Sequence, residues 1–232
     1  MNLGLMNRRA AQNTKANPYI TDGLIAMFDA EWNVGLGKHE ESPESWKDLA
    51  SNITSSGVPS KFNANSVLMD NTISFESPAI LDAINKDELT VELILKPLKH
   101  GTYSNNMYIH VGSTRGFWLW DNVNHVFSSV SYREPSSGYT AISSRGWGSG
   151  INLKNVIACI SLYGNNFKIR TNSAYNFSAS FTQKATVTGN ITFGNNTSNM
   201  EIYCVRFYGK VLSQAEITHN ALIDKERFGL NI

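Results

Sequence analysis

Apolar and polar residues alternate along most of this chain with a period of two. Leu89, Val91, Leu93 and Leu95 alternate with Thr90, Glu92, Ile94 and Lys96. Such a period marks a strand with one face toward a core. Gly23 to Asp29 reads as the opening strand. Further strand-like runs stand at about 67–76, 107–112, 116–121, 125–133, 154–163, 166–171, 190–194 and 200–208. In the last run Ile202, Cys204, Arg206 and Tyr208 fall on one face, with Tyr203, Val205 and Phe207 on the other. Gly164-Asn165 joins two runs, which is a hairpin signal. Residues 33–65 form a long loop region rich in Gly, Ser, Asn, Glu and Pro, and loops of that length are commonly functional. Helical signals are few. A short helix is expected at about 79–85 and a terminal one at 214–227. The terminal helix opens with Ser213 and has Glu216 three residues on, a capping box. Many short strands with Gly/Asn turns predict an all-β protein, a sandwich or jelly roll of two antiparallel sheets with a short C-terminal helix, over residues 19–232.

The ends of the chain carry a resemblance. The closing stretch has Arg206, Tyr208, Leu212, Ser213, Glu216, Ile217 and Asn220 in a strand that runs into a capped helix. It resembles the last element of laminin-G-like domains in the concanavalin A-like lectin/glucanase superfamily. The opening, Asp22 to Asp29 followed by Trp46-Lys47-Asp48-Leu49, resembles the start of the same group, with Ala50-Ser51 where that group has serine-glycine. The resemblance covers most of residues 19–229, and its ends are the specific part. It implies a jelly roll used mostly to bind sugars and less often to cleave them. The Leu5-Met6-Asn7-Arg8-Arg9 run also resembles the starts of tailed-phage and prophage proteins, which implies a virion protein: a fibre, tail or head-decoration part.

Composition narrows the picture. The chain has 232 residues, 41% of them hydrophobic, enough for one large core. Only 17% are charged, so the surface must lean on Asn, Ser and Thr. A net charge of +1 argues against nucleic-acid binding. No stretch is long and apolar enough to cross a membrane as a helix. The first residues carry Arg8 and Arg9 without the apolar run of a signal peptide, so synthesis in a bacterial cytoplasm and residence on a particle surface are expected. Residues 1–18 have no core of their own and read as an arm that anchors to a partner subunit of the assembly. Leu3, Leu5 and Met6 would supply the apolar contact, and Arg8 and Arg9 would pair with carboxylates. Cys159 and Cys204 sit in separate apolar runs and are expected to be buried, reduced thiols.

Candidate chemistry is sparse. Glycanases of the resembling fold place several carboxylates on one strand face, the arrangement by which an acid and a nucleophile flank a glycosidic bond. Here Glu88 and Glu92 share a face, but position 90 between them is Thr. No enzyme activity is expected, and Glu92 reads as a scaffold residue. The five histidines, His39, His100, His110, His125 and His219, stand in separate segments without metal-ligand spacing. Calcium, which several members of the resembling group bind, would have to draw on Asp22, Asp29, Asp48, Asp70 and Asp121; none forms an Asp-x-Asp cluster, so no metal is assigned. The aromatic residues are more informative. Trp118 and Trp120 share one face of their strand, as core or as platform. Trp147 and Arg145 lie in a glycine-rich loop, and Trp32 and Tyr139 in or near loops. Sugar rings stack their C–H faces on such aromatics while polar groups bond the hydroxyls. These six residues are the expected glycan site. The expected role is a non-catalytic recognition module, with a purely structural virion part as the alternative and a glycoside hydrolase further behind.

Overall fold

The computed structural model describes residues 16–98, 106–111, 117–122, 125–134, 138–141, 156–163, 166–171, 176–180, 186–194 and 199–230, with backbone and register for the strands between 106 and 141. Two antiparallel sheets face each other. In chain order the strands are β1 (Leu24–Asp29), β2 (Lys61–Phe62), β3 (Val67–Met69), β4 (Ile73–Phe75), β5 (Glu88–Pro97), β6 (Asn106–Val111) and β7 (Phe117–Asn122). They continue with β8 (His125–Glu134), β9 (Gly138–Ala141), β10 (Val156–Tyr163), β11 (Asn166–Thr171), β12 (Asn176–Ser180), β13 (Ile191–Phe193) and β14 (Met200–Tyr208). The first sheet runs β12-β11-β10-β5-β14-β3-β2, with β1 also paired to β14; the second runs β4-β13-β6-β7-β8-β9.

The period-two pattern explains the core. Leu89, Val91, Leu93 and Leu95 of β5 join Ala158, Ile160 and Leu162 of β10 and Val205 and Phe207 of β14 between the sheets. From the other sheet come Ile73, Phe75, Ile191 and Phe193. Phe28, Trp46, Phe75 and Phe193 form an aromatic centre, with Phe28 and Phe75 ring centroids 4.7 Å apart and Phe28 and Phe193 5.6 Å apart. Full burial of each such ring stabilises the fold by about 1.5–3 kcal/mol. The Trp46 indole donates to the Asp29 carbonyl at 3.0 Å, so its polar atom is satisfied inside the core.

Three expectations need correction. The run at 67–76 is two strands, because Asp70, Asn71 and Thr72 turn the chain from β3 in one sheet to β4 in the other. The faces of β14 are not a simple alternation either. Ile202 opposes Leu95 while Cys204 opposes Ile94, so Tyr203 is an extra residue, a β-bulge. The bulge puts Ile202 in the core and Tyr203 and Cys204 together on the opposite side. Third, β2, β9 and β12 are strands where none was expected. Their pairing with longer neighbours, rather than any strong pattern of their own, makes them strands.

Two helices complete the described fold. Helix α1 (Pro78–Lys86) begins at the N-cap Ser77, whose hydroxyl accepts from the Ile80 N–H, and it buries Ile80, Ala83 and Ile84. Helix α2 (Gln214–Phe228) has the expected capping box: Glu216 N–H donates to Ser213 Oγ at 3.3 Å and Ser213 N–H to Glu216 Oε2 at 2.7 Å. Gly229, at φ 61, closes it in a left-handed conformation that a side chain would strain. Its buried residues are Ile217, Asn220, Asp224 and Phe228, one helical face of which half is polar. That face lies on the outer side of the first sheet, against Met27, Ile94, Tyr203, Cys204 and Tyr208. Cys159 and Cys204 are free and buried, as expected, and burial pushes both thiols up.

Candidate ligand-binding face

The most concentrated chemistry among the described residues is buried beneath α2. Arg206 projects from β14 with no exposed surface. Its Nε donates to Glu92 Oε2 at 2.8 Å, and its terminal nitrogens donate to Asp224 Oδ1 and Oδ2 at 2.7 and 2.5 Å. Asn220 donates to the same Glu92 oxygen at 2.8 Å and to the Tyr208 hydroxyl at 2.9 Å. The Tyr19 hydroxyl donates to Asp224 at 2.8 Å, and its ring lies 4.1 Å from the Arg206 guanidinium. A second arginine, Arg227, bonds Asp29 at 2.7 Å, Glu31 at 2.7 Å and the Tyr19 hydroxyl at 2.8 Å.

Physical chemistry assigns this cluster a structural task. Burial would strip the charge from Arg206, but Asp224 and Glu92 on either side keep it charged. Burial also pushes the Glu92 carboxyl up, with Arg206 offsetting part of that rise. The same holds for Asp29 and its partner Arg227. Each carboxylate is matched to an arginine and closed over by the helix. Glu92 is therefore a scaffold residue, as its sequence context implied. Two other aspartates considered for calcium are also engaged. Asp48 accepts the N–H groups of Met27, Ala50 and Ser51 at 2.6, 3.0 and 2.7 Å, and Asp22 accepts from Lys210 at 2.5 Å. Among the described residues no three His, Cys, Asp or Glu side chains come together as a metal cage.

The predicted aromatic residues separate. Trp32 is buried, 2% exposed, with the Arg227 guanidinium 3.5 Å from its ring centroid. This chain's own arginine thus covers one face of the ring. Trp147 and Arg145 lie outside the described residues, as do Leu3, Leu5, Met6, Arg8 and Arg9 of the arm. Trp118 and Trp120 are in β7, and Tyr139 is in β9 of the same sheet.

Register places these three on one face. Directly opposed residues in an antiparallel pair share a side of the sheet. The buried Ile191 opposes Val111, Val111 opposes Phe117, and Phe117 opposes Tyr132. The buried Phe193 likewise opposes Ile109, which leads to Leu119 and Val130. Those are the core-side rows. The alternate row runs Ser74, Thr192, His110, Trp118, Ser131 and Ala141. The next rows along the strands hold Trp120 with Ser129 on one side, and Arg133 with Tyr139 on the other. By register Trp118, Trp120 and Tyr139 therefore fall in the rows that alternate with the core-side ones, together with Met107, His110, Ser129, Ser131 and Arg133. The polar members escaped sequence reasoning. Ser129, Ser131 and Arg133 alternate with Val130 and Tyr132, and that period of two was the available signal.

A separate open cavity of about 520 Å³ lies near β2, lined by His39, Glu41, Ser42, Lys61, Phe62, Asn63 and Ala64. It is remote in sequence from Trp118, Trp120, Tyr139 and Trp147.

No protein-family model and no curated protein sequence matches the chain. Solved structures do match it as folds. The receptor-binding domain of botulinum neurotoxin mosaic serotype C/D superposes with a TM-score of 0.63 at 13% identity, over 88% of this chain and 52% of that one. The binding domain of botulinum neurotoxin DC in complex with SialylT gives 0.59 at 12% identity, over 87% and 52%. Trypanosoma rangeli sialidase in complex with sialic acid gives 0.59 at 10% identity, over 91% and 34%. This chain thus spans about half of the toxin domains and a third of the sialidase. Identities this low speak to fold alone, and the fold is an all-β sandwich of two antiparallel sheets with a C-terminal helix.

Proposed function

We propose that this protein is a non-catalytic recognition module that holds glycans on the outer face of its second sheet. One observation carries the reading: register gathers Trp118, Trp120 and Tyr139 on that face among hydroxyl and basic residues. Aromatic planes stack on sugar C–H faces, and the hydroxyl and guanidinium groups suit sugar hydroxyls. The matched toxin domain was solved with SialylT and the sialidase with sialic acid, which supports a sugar as ligand. The buried carboxylates Asp29 and Glu92 beneath α2, and Asp224 on its inner face, are each held by an arginine, which supports binding over hydrolysis. The module works on the surface of a phage particle, as a fibre, tail or head-decoration part, with residues 1–18 as its anchor to a partner subunit. In support, the chain enters the described body against α2, on the opposite side of the sandwich from the aromatic face.

The test is a glycan array probed with the protein and with the double variant Trp118→Ala, Trp120→Ala. The variant should melt like the parent and lose array binding by about tenfold or more, as expected when stacked aromatic contacts are removed. An unchanged array pattern would remove the face from consideration. Release of reducing sugar from any bound glycan would overturn the non-catalytic reading.

A further inference from the structure

We infer that the cavity beside β2 is a docking site for an extended peptide, which adds a short strand to the open edge of the first sheet with an acidic residue next to Lys61. The site is separate from the proposed glycan face and independent of it. β2 is the last strand on its side of the first sheet. It pairs with β3 through Lys61 opposite Leu68 and Phe62 opposite Val67. The Asn63 N–H donates to the Ser66 carbonyl at 2.8 Å, so those two form a hydrogen-bonded pair. Bonded and non-bonded pairs alternate along an antiparallel ladder, which makes Phe62 and Val67 the non-bonded kind. The Phe62 N–H and C=O therefore point away from β3, toward the open edge. Its ring does not. It is 6% exposed and packs at a near right angle to Trp46, with centroids 6.5 Å apart. What Phe62 offers the cavity is thus its main chain, one donor and one acceptor, the set that an edge presents to an added strand.

A second segment, with His39, Glu41 and Ser42, lines the cavity together with β2. That loop is built to hold its shape. Asn33 has no exposed surface and clamps it: the Asn33 amide donates to the Glu40 carbonyl at 2.7 Å, and its side-chain oxygen accepts from the Glu40 N–H at 2.9 Å. Gly37 turns the chain at φ 71, and the His39 ring meets the Glu31 carbonyl at 3.2 Å. On the β2 side, the Asn63 side chain donates to Ser66 Oγ at 3.1 Å. A site fixed beforehand costs its ligand less in ordering. A short edge strand bearing a lysine is also how sheets avoid pairing with one another. A cavity of about 520 Å³ between that edge and a clamped loop goes further, because it leaves room for a guest. Ligand sites span roughly 300–1,000 Å³. Charge then selects the guest. Lys61 is exposed, and the residue beside it on an added strand lies on the same face, where opposite charges stabilise and like charges do not. Glu41 on the loop disfavours further acids, so one acidic residue among neutral ones fits.

The probe is a synthetic, end-blocked heptapeptide, Thr-Val-Thr-Glu-Thr-Val-Thr. It has three companions: Gln at the centre, Lys at the centre, and the Glu peptide N-methylated throughout so that its backbone cannot donate. Amide chemical shifts and amide hydrogen exchange of the protein are followed during titration. The Glu peptide should bind about two- to fivefold tighter than the Gln peptide, the effect of one cross-strand charge pair, and the Lys peptide weakest of the three. N-methylation should cost about tenfold or more, because main-chain bonds supply the affinity in strand addition. Exchange at the Phe62 N–H should slow on binding, and shift changes should centre on residues 39–42 and 61–64. Lys61→Gln, a surface change, should melt like the parent and bind the Glu and Gln peptides equally. Equal binding of the N-methylated and unmodified Glu peptides would overturn strand addition, as would binding that leaves Phe62 exchange unchanged. Preference for the Lys peptide would overturn the acidic partner for Lys61. No shift with any peptide would overturn the inference, and if maltotetraose then moved the same amides the cavity would pass to neutral glycans instead.

Discussion

Arg206 is the residue on which the helical side of the molecule turns. It is fully buried between Glu92 and Asp224, and its charge has no solvent to fall back on. Breaking such a pair leaves an uncompensated charge in the interior. Arg206→Ala should therefore cost about 3–5 kcal/mol in urea denaturation. Replacing Arg206, Glu92 and Asp224 together with apolar residues of similar size should cost much less, because no orphan charge remains. Glu216 offers a contrast at the surface. The Lys210 ammonium and the Ser213 N–H hold its carboxyl down to about 2, below the ordinary 4.5. A carboxyl held low in the folded state binds fewer protons there than in the unfolded chain. Its contribution is then full above pH 4.5 and is lost as pH falls toward 2. Glu216→Gln should thus melt below the parent at pH 7, and the gap should close at pH 2. A gap independent of pH would show that the capping box, not the charge, is what matters.

At the scale of elements, turns and bulges decide more than strands do. Gly194 ends β13 at φ 67, and a Cβ there would stand 2.4 Å from the Asn71 carbonyl oxygen. That oxygen belongs to the turn which passes the chain from β3 to β4. Gly194→Ala meets both a left-handed backbone and a backbone neighbour, so it should destabilise by more than about 1 kcal/mol, read as a lower thermal midpoint. Long elements were legible in the sequence for a plain reason. β5 and β14 bury one face between the sheets and the other under α2, and α2 carries its own start signal in Ser213 and Glu216. The split at Asp70 was not legible, because Val67 to Phe75 keeps its apolar spacing across a turn between sheets. Nor was the bulge at Tyr203, since one extra residue in a continuous apolar run leaves no mark on composition. The proposed glycan-binding set was half legible. Tryptophans announce themselves, while Ser129, Ser131 and Arg133 gain meaning only once β8 is paired beside β7.

Taken whole, the molecule has two unlike sides. One is the side of the second sheet, β4-β13-β6-β7-β8-β9. The other is sealed by α2 and by residues 17–20, which α2 holds in place. The Ile20 N–H donates to Asn220 at 3.0 Å, and Tyr19 lies under both arginines. If residues 1–18 are the proposed anchor, removing residues 1–15 should leave the melting temperature unchanged while abolishing binding to the proposed partner subunit. Removing residues 1–20 should also strip Tyr19 from its site and lower stability by about 3 kcal/mol or more, comparable to deleting a buried aromatic ring.

The contact between Tyr19 and Asp224 joins residues 205 apart in sequence. Its consequence is topological. Chain entering at Asn17 and chain leaving at Leu230 meet on the same side, and Tyr19 and Leu230 share one apolar cluster. A body whose two ends converge behaves as a cassette: it can sit between two segments of a longer polypeptide without pulling them apart. A permuted chain, with residues 16 and 230 joined by a short Gly/Ser linker and new ends opened at the exposed turn residue Ala64, should fold to the same far-ultraviolet spectrum and unfold cooperatively. Loss of cooperative unfolding in that permutant would mean that the original order of synthesis, and not the contact of the ends, holds the helix to the sheet.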